Sequence, residues 1–302
     1  MKTDSLLYGG IEGGGTKFIC AVGTNPNDLR AEIRIPTTTP AETMQKVIEF
    51  FQPYAANLAA IGFSCFGPLD PNRESPTYGQ ILSTPKAGWS GADVVGILRG
   101  AYNIPIAFDT DVNGAALGEW TWGAAQGLNT FIYLTIGTGI GGGIFAEGKL
   151  LHGLLHPEMG HISMPHDKAR DPFEGICPFH GDCFEGLASG PAMEKRWGQK
   201  AETLPREHAA WELEAEYIAN ALKTYICAVS PQRIILGGGI GQAAGILSPV
   251  QEKTRKALNH YVQSPVVESE EYICPPALGG KAGVLGSIAL ARNAKFKDDF
   301  VK

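Results

Sequence analysis

Twice in this chain a glycine-rich turn stands between two short apolar runs, and this repeated plan restricts the fold more than any other feature. Leu6 to Ile11 reads as a strand, Glu12-Gly13-Gly14-Gly15-Thr16-Lys17 as a turn, and Phe18 to Val22 as the returning strand. The plan recurs near residue 138. There Phe131 to Ile136 runs into Gly137-Thr138-Gly139-Ile140-Gly141-Gly142-Gly143 and leaves through Ile144-Phe145-Ala146. Short apolar runs bounded by glycine read as strands. Such a unit met twice predicts two related α/β domains, one beginning at each hairpin.

The intervening chain alternates strand and helix patterns. Ile61 to Gly67 is a buried strand that ends in Gly67-Pro68, and Ile104 to Phe108 delivers Asp109-Thr110-Asp111. Helical periodicity covers Thr39 to Tyr54, Gly91 to Tyr102, Val112 to Ala125, Arg206 to Val229 and Ala282 to Ala294. Arg233 to Leu236 is a short strand before Gly237-Gly238-Gly239. A length of 302 residues exceeds one typical core. The expected division is 1–112, with the C-terminal helix of about 283–296 packing back on it, and 113–282. The net charge of −6 and the scattered Lys and Arg offer no field for nucleic acid. No apolar run approaches the ~20 residues that span a bilayer, and the start of the chain has no signal-peptide pattern. A soluble, cytoplasmic protein without membrane or nucleic-acid partners is expected.

Gly137-Thr138-Gly139-Ile140-Gly141-Gly142 matches G-x-G-x-x-G, yet a dinucleotide fold needs those glycines to open a helix. Here an alternating run ending at Gly148 follows, which reads as a strand. Hairpin tips rich in glycine make a different phosphate site, since bare backbone N–H groups can face phosphate oxygens. One such tip is an ordinary tight turn. Two of them, with Asp111 and Gly237-Gly238-Gly239, point to a nucleotide.

Cys177-Pro178-Phe179-His180-Gly181-Asp182-Cys183 places three soft ligands at even spacing, and His161 lies upstream. A disulfide between Cys177 and Cys183 is the competing reading, but a reducing compartment favours metal. Two thiolates and two imidazoles form the closed tetrahedral set of structural zinc. Glu158 and Glu185 stand beside this clip, within an insert of about 156–186, and could grip a polar substrate. Cys20, Cys65, Cys227 and Cys274 sit in apolar patterns and read as core.

Glu12 to Lys17, Asp109-Thr110-Asp111-Val112-Asn113, Leu134 to Gly143, Glu158-Met159-Gly160-His161 and the Cys/His run occur in this order. Together they resemble the ROK family within the actin-like sugar kinase superfamily, and most closely its bacterial fructokinases. The shorter cluster with His180 departs from the three-cysteine glucokinase branch, and Thr110 stands where many relatives carry Asn. Repressor members add a helix-turn-helix, for which the eleven residues ahead of Glu12 leave no room.

The resemblance implies two actin-like, ribonuclease H-like ATPase domains with a cleft between them, and ATP-dependent phosphorylation of a sugar hydroxyl, fructose at its 6-position. Another hexose is the nearest alternative, and a non-catalytic sugar-binding regulator a more distant one. By resemblance Asp111 is the general base, although Asp before Val112 also suits a helix N-cap. Glu12 is the acid that helps hold Mg²⁺, against the alternative of a solvated turn charge. Gly14, Gly15, Thr16, Lys17, Gly137, Thr138 and Gly139 face the phosphates, and Pro191, Gly238, Gly239 and Gly280 the nucleoside. Gly67, Pro68, Asp111, Glu158, His161 and Glu185 meet the sugar, with Trp89 and Thr84-Pro85-Lys86 on the far wall unless Trp89 is core. His161, Cys177, His180 and Cys183 hold structural Zn²⁺. A homodimer is implied.

Overall fold

The structure is a computed structural model that describes residues 6–298. The chain divides into two compact units. Among the described residues the first comprises 6–127, 150–156 and 277–298, and the second 128–149 and 157–276.

In the first unit, strands β1 (Leu7–Gly13), β2 (Lys17–Asn25), β3 (Asp28–Pro36), β4 (Leu58–Cys65) and β5 (Ile106–Thr110) lie in the order β3-β2-β1-β4-β5. β1, β2 and β3 form an antiparallel meander, while β4 runs parallel to β1 and β5 parallel to β4. Alternation along β2 separates the two faces. Phe18, Cys20 and Val22 join the core under α1 (Pro40–Phe51) and α2 (Val94–Ala101). Ile19 and Ala21 meet Val284, Leu285 and Ile288 of the C-terminal helix, Ala282–Asp298. That helix lies on β4 and on α3 (Asp111–Trp122) at backbone distance. A Cβ on Gly62 would stand 1.9 Å from the Ser287 carbonyl oxygen, and one on Gly286 1.7 Å from that of Gly114. Only glycine permits so close an approach. The contact draws α3 into the first unit, which therefore extends past the boundary at 112 expected from the sequence.

In the second unit, β6 (Phe131–Ile136), β7 (Ile140–Ala146), β8 (Lys149–Leu150), β9 (Ile234–Gly237) and β10 (Ile273–Cys274) lie in the order β10-β9-β6-β7-β8. β6 is antiparallel to β7 and parallel to β9, and β9 is parallel to β10. Both sheets thus carry one plan: a hairpin, then two parallel strands added beside its first strand. The helices are α4 (Phe184–Ala188), α5 (Gly190–Trp197), α6 (Ala209–Val229), α7 (Gly238–Gly241), α8 (Leu247–Leu258) and α9 (Pro265–Glu268). Ile218, Leu222 and Ile226 recur at helical spacing on α6 and pack on Ile132, Leu134 and Ile234 of the sheet.

Gly238 and Gly239 open α7. Three expectations need correction. Gly141, Gly142 and Gly143 lie inside β7, so the second tip is only Gly137-Thr138-Gly139. Trp89 is wholly buried, 5.4 Å from the Phe18 ring, and its indole N–H donates to the Thr38 carbonyl at 2.8 Å. It is core and lines no sugar site. Cys20 and Cys65 are buried, but Cys227 is exposed on the outer side of α6 and Cys274 only half-buried.

Candidate active site

The first tip is closed by the Gly14 amide donating to the Lys17 carbonyl at 3.0 Å. Thr37, just after β3, braces it: its amide donates to the Thr16 carbonyl, and its hydroxyl to that of Gly14 at 2.7 Å. Glu12 precedes the tip on β1. Its carboxylate rests on the start of the C-terminal helix, where a Cβ on Gly283 would stand 2.3 Å from it and the Val284 amide donates to it. Burial, then the negative charge of Asp111, push its pKa to about 7, against the pull of Lys17 and that amide. Buried Oε2 has no hydrogen-bond partner. Two acids forced together, one with an orphaned oxygen, fit a cation held directly or through water.

β5 delivers Asp111 to the first position of α3. The cap is Thr110, whose hydroxyl accepts from the Asn113 amide at 3.1 Å. Half-buried Asp111 accepts from the Val112 amide at 2.9 Å. Gly67-Pro68 follows β4 with a cis peptide bond, and the His156 ring packs against Gly67 while accepting from the Leu69 amide at 3.2 Å.

Three residues in this unit escaped the sequence reading. Buried Asp109 accepts from Asn113 Nδ2 at 2.7 Å and from His152 Nε2 at 2.9 Å. Buried Glu119 accepts from the amides of Ala124, Ala277 and Leu278 at 2.7 to 3.1 Å, which holds the chain just before Gly279-Gly280. Gly280 itself is exposed. These partners lie 43 and 158 residues away in sequence, so no local pattern announces them.

In the second unit the tip is held by the Gly137 amide donating to the Gly139 carbonyl at 2.9 Å and the Gly190 amide donating to the Gly137 carbonyl at 2.7 Å. The second bond ties the tip to α5, which Ser189 caps and Pro191 enters. Gly238 has φ +82°, and a Cβ there would meet the Ile136 carbonyl at 2.2 Å. Gly137, Thr138, Pro191 and Gly239 line a pocket of about 740 Å³. Lys200, Arg206, Trp211, Ile240 and Ala243 complete much of its wall, and none of them carried a sequence signal. Glu194 and Glu202 line it too and balance the two cations, so its bare backbone and its apolar residues, more than net charge, suit a nucleotide.

Gly139 faces elsewhere, 2.8 Å from the Glu185 carboxylate as a Cβ would measure it, and Glu185 Oε2 accepts from the Ile140 amide at 2.8 Å. Glu185 Oε1 lies 4.0 Å from His161 Nε2. His161 Nδ1 turns the other way, 3.5 Å from Cys183 Sγ and 3.7 Å from Cys177 Sγ, and His180 Nδ1 is 3.7 Å from Cys177 Sγ. The ligand atoms of His161, Cys177, His180 and Cys183 lie within 4.8 Å of one another. A tetrahedral ion with ordinary Zn–N and Zn–S bonds sets N···S at about 3.6 Å, so the donor set fits such an ion. Burial raises the Cys183 thiol to about 11, an effect that a bound cation would reverse. Glu158 opens the turn Met159–His161 and is exposed. Tyr225 pins that turn to α6 by donating to the Met159 carbonyl at 2.5 Å.

The ROK family pattern matches residues 8–294. A fructokinase of Zymomonas mobilis is 46% identical over 98% of this chain and 100% of its own length. A fructokinase of Streptococcus mutans is 42% identical over 95% of this chain and 98% of its own. The crystal structure of ROK hexokinase from Thermus thermophilus superposes with a TM-score of 0.77 at 27% identity, covering 97% of this chain and all of that one. The two repeated α/β units are accordingly those of the actin-like ATPase fold. The likeness runs through both tips, the Asp111 helix and the Cys/His insert, and the chain belongs to the ROK family.

Proposed function

We propose that this protein is an ATP-dependent fructokinase that phosphorylates fructose at its 6-hydroxyl. The observation that carries the reading is the pairing of Asp111 with Glu12, in a chain similar over nearly its whole length to fructokinases. Phosphoryl transfer asks a protein mainly for positioning and charge neutralisation. Asp111 accepts the proton of the 6-hydroxyl as that oxygen bonds the γ-phosphorus. The bond from γ-phosphorus to the β–γ bridging oxygen breaks, and ADP leaves. An ordinary carboxylate is ionised at pH 7 and needs no further activation for this role.

Gly14, Gly15, Thr16 and Lys17, with Gly137, Thr138 and Gly139, take the phosphates. Pro191, Gly238, Gly239 and Gly280 take the nucleoside. Glu12 would help hold Mg²⁺, which would supply charge neutralisation on the phosphates. Gly67, Pro68, Glu158, His161 and Glu185 recognise the sugar. His161, Cys177, His180 and Cys183 hold a structural Zn²⁺, which leaves His161 Nε2 directed to Glu185. The protein acts as a cytoplasmic homodimer. No helix of the described residues is long and apolar enough to cross a membrane.

The deciding experiment is ADP production with ATP, Mg²⁺ and a panel of hexoses, each against a sugar-free blank. Fructose-selective ADP release is expected. Activity confined to mannose or glucose would reassign the substrate, and no sugar-dependent release from zinc-loaded protein would sink the kinase reading. Light scattering of the eluted protein checks the dimer.

A further inference from the structure

His152 joins the polar cluster at the start of α3 and has no role in that mechanism. His152 Nε2 lies 2.9 Å from Asp109 Oδ2 and 3.3 Å from Asn113 Nδ2. Asp109 Oδ1 already accepts from the Thr110 amide at 2.8 Å and from Asn113 Nδ2 at 2.7 Å. Asn113 presents only N–H to this corner, so the imidazole must offer Nε2–H to the remaining carboxylate oxygen. A buried carboxylate thereby sets the tautomer and the plane of the ring.

Exposure separates this histidine from a purely structural one. His166 in the second unit has a side chain only 3% exposed, with its ring nitrogens 2.9 Å from Asp182 and from the Asp171 carbonyl. The His152 side chain is 36% exposed. Asp109, Thr110 and Asn113 are buried, and Asp111 is half-buried. Of these residues, then, it is His152 and Asp111 that solvent reaches. The ring does not hang on a loose loop. Four residues further on, His156 pins the same segment to the Leu69 amide beside Pro68.

We propose that His152 is a sugar-recognition residue, oriented by Asp109, that hydrogen-bonds a hexose hydroxyl other than the one attacked. The proposal rests on the kinase reading above. A site built to hydrogen-bond a particular hydroxyl discriminates strongly against sugars that place it elsewhere. His152 would therefore help to choose the sugar.

The test is steady-state kinetics of His152→Ala and His152→Gln with fructose, mannose and glucose, together with KM for ATP and the Tm of each variant. His152→Ala should raise KM for fructose about tenfold, the size of one hydrogen bond in a partly desolvated site, and narrow the preference for fructose. KM for ATP should stay within about twofold. His152→Gln keeps an N–H for Asp109 and should recover part of the loss. It also carries the comparison if the alanine variant does not fold. A lowered Tm with unchanged sugar KM and selectivity would mean a structural strut and overturn the proposal. A fall in kcat alone would place the imidazole behind Asp111 and overturn it equally. Wild-type protein inactive on every hexose would instead defeat the kinase reading, so the two failures are distinct.

Discussion

The tip between β1 and β2 is preceded on its strand by Glu12, whose pKa burial and then the nearby charge of Asp111 at the head of α3 lift to about 7. The tip between β6 and β7 has no such pair. It joins a capped helix start, a glycine with positive φ and a pocket whose wall carries Lys200 and Arg206. Both tips grow from the same strand order, hairpin and parallel additions alike. A shared topology therefore sets where a loop emerges, while the side chains arriving from the next strand and helix decide its chemistry. The acidic half suits a cation and a proton acceptor, and the neutral half suits a nucleotide.

The hardest test of this contrast is Asp111→Asn, which should lower kcat about 10²- to 10⁴-fold with nucleotide binding retained. A loss below tenfold would end the assignment of the acidic half. Next in size is the metal clip. Cys183→Ala should lower bound zinc, read by atomic emission, and raise KM for sugar by about tenfold through displacement of His161 and Glu185. Full activity in zinc-free Cys183→Ala would detach the clip from the site.

Glu12 sharpens the contrast through pH. Its folded pKa of about 7 lies above the ordinary 4.5, so the folded state holds the proton more tightly. That contribution to stability is complete below pH 4.5 and lost as pH rises through about 7. Glu12→Gln in Mg²⁺-free buffer should therefore be more stable than wild type at pH 8, by on the order of 3 kcal/mol. The two proteins should converge toward pH 4.5. A variant that is less stable at pH 8 would contradict the buried, crowded carboxylate. The smallest effect belongs to the neutral tip, where backbone amides carry the binding. Thr138→Ala should raise KM for ATP only about threefold, the value of a single neutral hydrogen bond. A hundredfold rise would show that the hydroxyl, not the backbone, dominates there.

Legibility followed the range of the interaction. β1, β2, β6 and β9 read correctly because apolar runs and bounding glycines are local signals. β3 did not, since Asp28, Arg30, Glu32 and Arg34 stud an edge strand whose residues are mostly exposed or half-buried. The gathering of His161, Cys177, His180 and Cys183 was legible from spacing and residue type. Asp109, Glu119, His152 and the walls of the 740 Å³ pocket were not, because each draws its meaning from a partner remote in sequence.

By itself, then, the sequence determined the two hairpins, the alternation of strand and helix, the Cys/His donor set and the acid at the head of α3. All of these depend on neighbours within a few residues, where backbone propensity and ligand spacing act directly. Only the tertiary structure decided that Thr110 rather than Asp111 caps α3, that Trp89 is core, and that Glu12 is lifted to about 7. Hydrogen-bond partners, burial and the electrostatic field arise only when distant segments of the chain are packed together.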